Sequence, residues 1–228
     1  MDFGPITVRE LVMEETLNYK GVPVLKYTIR YPEFSSAVFR IAVHEMNRYY
    51  HARAALQRQR YRQLLYPQAA RDYDYAAAHD YPFRQYEAVA THTVTYNENC
   101  ALSLYADNYQ YTGGAHGTTV RTSDTWSLRH ALRVPLAVFF APTVPYPTYV
   151  LEAINNQIAA QIAEGIGMYF DDYEKNVAQS FNPRNFYLSS AGVVIYFQQY
   201  QIAPYASGIP EFTLTWSDDV RPPQCRPA

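Results

Sequence analysis

His44 and Glu45 begin the way a zinc-protease helix begins, with an imidazole to bind metal and a carboxylate to act as base. That chemistry needs a second histidine four residues after the first, so that both rings share one helical face. Position 48 is Arg48, and His51 stands seven residues on, a two-turn separation that seldom closes on one ion. No metal site is expected. Gly113-Gly114 and Gly165-x-Gly167 are the glycine pairs to weigh for phosphate binding, but a phosphate cradle needs a strand, a loop and then a helix N-terminus. The residues after Gly114 read as strand, and Gly165 follows a helical pattern, where it suits a C-cap. There is no Gly-x-Ser-x-Gly elbow, and neither Cys100 nor Cys225 has a nucleophile's surroundings. Asp171-Asp172 and Asp218-Asp219 are neighbours in sequence, so their carboxyl groups point apart on helix or strand. No catalytic residue and no cofactor is expected. The competing reading is a cell-wall glycan hydrolase using distant acids such as Glu98, Asp107 or Asp172. It requires two carboxyl groups about 5 to 9.5 Å apart across a cleft.

Two stretches suit contact better than catalysis. YTGGAHG, residues 111–117, combines an aromatic ring, small residues that expose backbone amides, and the imidazole of His116. IAPYASGIPE, residues 202–211, is turn-rich, with Pro204, Gly208 and Pro210. The ligand-contact candidates are Tyr109, Tyr111, Thr112, Gly113, Gly114 and His116 around the first loop, and Pro204, Tyr205 and Glu211 around the second. The plainer account of both is a tight connection between strands; the functional one is a recognition loop on a rigid sheet.

The elements that would carry these loops follow from periodicity. Residues 6–18 and 22–31 read as a hairpin, with Leu25, Tyr27, Ile29 and Tyr31 on one side, and Pro32 closing it. Ser35 or Ser36 can cap a helix whose Phe39, Val43, Met46 and Tyr50 recur at helical spacing over about residues 36–65. A second helical stretch, 68–79, continues it. From residue 85 the period is two, and strands at 85–97, 101–112 and 118–128 joined by short turns predict an antiparallel meander. Pro147 opens another helix with Val150, Leu151, Ile154, Ile158 and Ile162 as its apolar stripe. A shorter helix at 171–180 and strands at 186–188, 193–202 and 211–216 complete the chain. Helices and strands come in groups, which predicts an α+β fold with antiparallel sheets backed by one long N-terminal helix and a second helix pair. The expected division is a domain at 1–97, a domain at 98–220, and a disordered tail at 221–228.

Composition narrows the function classes. With 48% hydrophobic and 18% charged residues the chain forms a packed globule. The formal net charge of −2 and the spread of Arg53, Arg58, Arg60 and Arg62 around a helix argue against nucleic acid as partner. The 23 tyrosines suit half-buried strands and contact surfaces alike. MDFGPITVRE lacks the pattern of a signal peptide, and no apolar run is long enough for a membrane span. As written the chain is expected to be cytoplasmic, or to be the soluble part of something longer. Two cysteines make no disulfide framework, and a bridge between them is left open.

The YTGGAHG turn, the block FYLSSAGVVIYFQQYQIAPYASGIPEFTL at 186–214 and the helix between them resemble the C-terminal domain of the extracytoplasmic region of RsiV-type anti-sigma factors. The hairpin, the long helix and YPFRQYEAVATHTVTYN at 81–97 resemble the companion N-terminal domain, found there and in PdaC-type peptidoglycan deacetylases. The resemblance covers about residues 6–217. It implies an α+β fold without a catalytic centre, a Gram-positive cell-envelope setting, and a lysozyme-like protein or a peptidoglycan fragment as partner. In the deacetylases the chemistry belongs to a separate domain, and the transmembrane and sigma-binding segments of the receptors have no counterpart in this chain. An intracellular scaffold relative is the further alternative.

Overall fold

Residues 4–225 are described by a computed structural model. The hairpin forms as expected from β1 (Thr7–Tyr19) and β2 (Val22–Ser35), paired antiparallel around a turn at Lys20 and Gly21, both at positive φ. Leu25, Tyr27 and Ile29 are buried on one face, as their alternation demands. Pro32 does not end β2. It pairs with Glu10 on the β1 side, while the pairing of β2 on its other edge stops at Ile29. A residue without an N–H is tolerated where one edge of the strand has no ladder partner.

The helical region is one rod of three parts: α1 (Arg40–Arg60), a π-helical turn at Tyr61–Leu65, and α2 (Tyr66–Ala78). It begins later than residue 36, because the Ser36 hydroxyl accepts from the backbone of Val38 and Phe39 and holds a turn ahead of the helix. Pro67 lacks an N–H and its ring crowds the carbonyl four residues back; the widened π turn just before it relieves that conflict without stopping the rod. Ala54, Tyr61, Leu65 and Ala69 pack in one core with Leu25, Tyr27, Ile29, Tyr86 and Ala88.

This rod acts as a crossover. It returns the chain so that β3 (Tyr86–Glu98) lies parallel to β2, with Leu25 opposite Tyr86 and Ile29 opposite Ala90. A purely antiparallel sheet is therefore not what forms there, since a strand reached through a long helix comes back in the original direction. β4 (Ala101–Tyr111), β5 (Thr118–Ser127) and a short β6 (Leu132–Arg133) follow in spatial order, giving a six-stranded sheet β1-β2-β3-β4-β5-β6. Asn99 and Cys100 make the β3–β4 turn at positive φ.

After a 3-10 turn at Leu136–Phe139 come α3 (Tyr146–Ala163) and α4 (Tyr173–Ser180). A second, antiparallel sheet follows, made of β7 (Phe186–Leu188), β8 (Gly192–Tyr196) and β9 (Glu211–Thr215) in that order. Val150, Ile154 and Ile158 are fully buried against Val193, Ile195, Phe212 and Leu214. Ile162, expected in the same stripe, is exposed in the last turn, beyond the reach of that core. Gly165, at positive φ, ends α3 as a C-cap, its N–H donating to the Ile162 carbonyl at 3.1 Å.

The compact units do not follow the sequential boundary at 97/98. One unit holds Ile6–His92 with Ala106–Val120, and the other holds Thr93–Tyr105 with the chain from Arg121 onward. The division falls inside β3, β4 and β5, because a hairpin strand long enough to serve one core runs on into the next. The tail expected to be disordered at 221–228 is ordered as far as Cys225. Arg221 N–H donates to the Phe139 carbonyl at 2.7 Å, and Cys225 is disulfide-bonded to Cys100 across 125 residues, with 5.1 Å between their Cα atoms. Residues 226–228 of that tail, like residues 1–3, lie outside the described residues. No helix among the described residues is long and apolar enough to cross a membrane.

Candidate functional site

The first candidate loop joins β4 to β5 in the unit built on the long helix. Gly113 has φ +86°, which favours glycine strongly. Gly117 is buried, and the Tyr109 ring occupies the space a Cβ at that position would take. The Tyr111 hydroxyl donates to the Gly114 carbonyl at 3.0 Å, and the Arg84 guanidinium donates both to that hydroxyl (3.2 Å) and to the same carbonyl (3.3 Å). The hydrogen bond from Arg84 to Tyr111 raises the arginine's pKa further, so its charge is secure. Tyr109 and Tyr111 thus brace the loop from within, while Thr112, Gly114 and His116 are exposed. The His116 ring nitrogen Nδ1 lies 3.0 Å from the Gly117 carbonyl oxygen.

The second loop belongs to the other unit. Pro204 leads into a 3-10 turn at Tyr205–Ser207, closed by Ser207 N–H to the Pro204 carbonyl (3.0 Å) and left through Gly208 at φ +66°. The Ser207 hydroxyl donates to the Met168 carbonyl at 2.9 Å, and the Tyr200 and Tyr205 rings lie 5.8 Å apart. Glu211, the first residue of β9, is engaged by Arg121. The sequence candidates therefore divide between the units, Tyr109 to His116 in one and Pro204 to Glu211 in the other.

Around Glu211 the structure assembles residues that sequence reasoning did not join. Arg121 is buried, with its guanidinium 3.7 Å from the Tyr105 ring centroid and 5.8 Å from that of Tyr196. Its backbone is bracketed by the Gln198 amide, which accepts from Arg121 N–H at 2.9 Å and donates to its carbonyl at 2.7 Å. Tyr187 completes the group, and its hydroxyl is pushed well above the usual range by burial first and by the Glu211 charge second. The tyrosines fill the space around the cation, so this cluster is a packed part of the core. Its members come from β4, β5, β7, β8 and β9, and no spacing in the sequence connects them.

A second group lies in the open, at the end of α2 and just beyond it. Tyr75 and His79, four apart at the end of α2, stack with ring centroids 4.1 Å apart, and His79 stacks on Tyr81 at 6.2 Å with 13° between planes. Tyr75 is 59% exposed and Tyr81 62%. The His79 ring is held by a 2.8 Å contact from Nδ1 to the Tyr75 carbonyl oxygen. Three residues on from Tyr81 stands Arg84, which ties the YTGG turn down. The i, i+4 spacing of Tyr75 and His79 in a helical stretch is the signal in the sequence that marks this pair.

Comparison with known proteins relates the chain to others by family model and by fold. The family described as deacetylase PdaC matches residues 20–119, and the DUF3298 family, of unknown function, matches residues 139–217. The two family models thus match successive stretches of the chain. It is similar to a DUF3298 family member from Bacteroides fragilis, with a TM-score of 0.69, 17% identity, and coverage of 94% of this chain and 92% of that one. A DUF3298 family protein from Pseudomonas aeruginosa is similar at a TM-score of 0.62 and 18% identity, with 96% of each chain covered. At these identities the likeness is one of fold. None of the curated proteins matches the chain.

Proposed function

We propose that this protein is a non-catalytic binding module whose ligand is a cell-wall glycan. The observation that carries the reading is the exposed stack of Tyr75, His79 and Tyr81, three residues ahead of the Arg84 that braces the hairpin loop. Flat aromatic faces held by their neighbours stack on the apolar faces of sugar rings at little entropic cost. Thr112, Gly114 and His116 add hydrogen-bonding groups on the same hairpin. The Cys100–Cys225 bridge supports a setting outside the reducing cytoplasm, where such a glycan is met.

A second reading, docking of a lysozyme-like protein, is implied by the resemblance to the RsiV-type region. The adjoining PdaC and DUF3298 matches agree with the tandem order of that region and name no ligand. Sedimentation with purified peptidoglycan and a parallel pull-down with lysozyme test both. Retention by peptidoglycan that is lost in Tyr75→Ala/Tyr81→Ala supports the glycan. Retention by lysozyme alone replaces it with the protein ligand, and release of soluble sugar fragments would replace the binding module with a hydrolase.

A further inference from the structure

A cleft of about 520 Å³ opens in the other unit, between the β5–β6 turn, the 3-10 turn at Leu136–Phe139 and the C-terminal strap. Its volume is within the range of small-ligand sites. Arg129, His130 and Arg221 line it together with the apolar bodies of Trp126, Phe139 and Pro223, and among the described residues no aspartate or glutamate does. Elsewhere in the chain arginines near an acid are paired with it, as in Arg9–Glu33, Arg30–Glu10, Arg121–Glu211 and Arg133–Asp124. Among the described residues neither Arg129 nor Arg221 has a carboxylate partner. Arg221 is nonetheless anchored at its root: its N–H donates to the Phe139 carbonyl at 2.7 Å, and its Nε to the Asp218 carbonyl at 3.1 Å. That fixes the stem and leaves the outer edge of the guanidinium for another acceptor.

From this geometry we infer that the cleft is a binding site for a small organic anion, one carrying a carboxylate or a phosphate on an apolar or sugar body. Guanidinium groups match the paired oxygens of either anion, and two of them in a partly enclosed cleft hold it more strongly than on an open surface. Trp126 and Phe139 meet the uncharged part. The disulfide forms one wall, since Cys100 lines the cleft and its partner Cys225 follows directly on the strap residues Pro222, Pro223 and Gln224. The site shares no residue with the aromatic stack and does not depend on the glycan reading.

Calorimetric titration tests it with three probes: a muramyl dipeptide for the carboxylate, glycerol 3-phosphate for the phosphate, and a neutral N-acetylglucosamine oligomer as control. Saturable binding of one anion, weakened about tenfold or more in Arg129→Gln/Arg221→Gln and weakened by raised salt, is expected. The anion that binds identifies the source. Tyr75→Ala/Tyr81→Ala leaves this binding unchanged, and Cys225→Ser weakens it by loosening the strap. Both arginines project from turns or exposed backbone, so circular dichroism should show the double variant folded. If neither anion saturates wild-type protein at millimolar concentration, or if the double variant binds as well as wild type, the inference is overturned.

Discussion

Two clusters in this protein use the same three residue types and differ in what surrounds them. In the unit of the long helix, Glu15 bonds Arg62 and the Tyr27 hydroxyl, with Arg58 4.0 Å away, and all the charged groups reach solvent. The Glu15 carboxyl is held below its usual range by Arg62 first and Tyr27 second. In the other unit Glu211 pairs with Arg121, whose side chain is 9% exposed beneath Tyr105, Tyr187 and Tyr196, while Glu211 itself is 39% exposed. Water screens the first cluster and competes for each partner. In the second the arginine has given up its hydration, so each partner left is one it cannot replace. Burial, not the residue list, decides what an ion pair is worth.

The comparison is broken most violently by placing a charge where no partner exists. Ile158→Asp puts a carboxylate into the core of α3 and the second sheet. A loss of about 4 kcal/mol or more is expected, seen as insoluble or unfolded product. Soluble protein with an unchanged melting temperature would show that this helix face is not enclosed. Next, Glu211→Gln removes the Glu211 charge from beside Arg121. A fully buried pair broken on one side costs roughly 3–5 kcal/mol. Because Glu211 is partly exposed, about 2 kcal/mol is expected, a drop of about 4–8 °C in thermal melting. A drop no larger than that of an exposed pair would erase the contrast between the clusters.

The third effect appears with pH. Tyr86 donates to Asp72 and is buried, and burial first, then the hydrogen bond to Asp72 and its charge, pushes the hydroxyl up to about 12. The folded state therefore keeps a proton that the unfolded chain loses near pH 10, so this stability is complete below pH 10 and is lost as pH rises toward 12. The amount is on the order of 2 kcal/mol, and Tyr86→Phe should flatten denaturant midpoints across that window. Equal slopes in variant and wild type would mean the hydroxyl is hydrated. The smallest effect is expected from Glu15→Gln, whose melting curve should overlay that of wild type within error. A clear loss there would put the two clusters in the same class.

Much of the fold was legible in local pattern. The alternation of Leu25, Tyr27 and Ile29, the helical spacing of Val43, Met46 and Tyr50, and the stripe Val150-Ile154-Ile158 each state their own buried face, because side-chain direction repeats with period 2 or 3.6. Failures came where neighbours overrode local preference. Pro32 reads as a stop until the edge it faces is known, and Ile162 belongs to the stripe by spacing yet lies past the end of the core. Of the candidate site, the hairpin loop was visible through its glycines. Arg84, which braces it, stands 27 residues before Tyr111, and no period marks such a pair.

By itself the sequence determined the α+β content, the main helices and strands, and the two tight loops, since these depend on steric preferences and amphipathic spacing that each segment carries alone. Only the tertiary structure decided that β3 returns parallel to β2, that Cys100 and Cys225 meet, and that Arg121 shares a buried cluster with Glu211 while Arg129 and Arg221 line one cleft. Those outcomes depend on which distant segments compete successfully for the same space and the same partners. That competition is settled by packing and desolvation over the whole chain, so no single window of residues contains it.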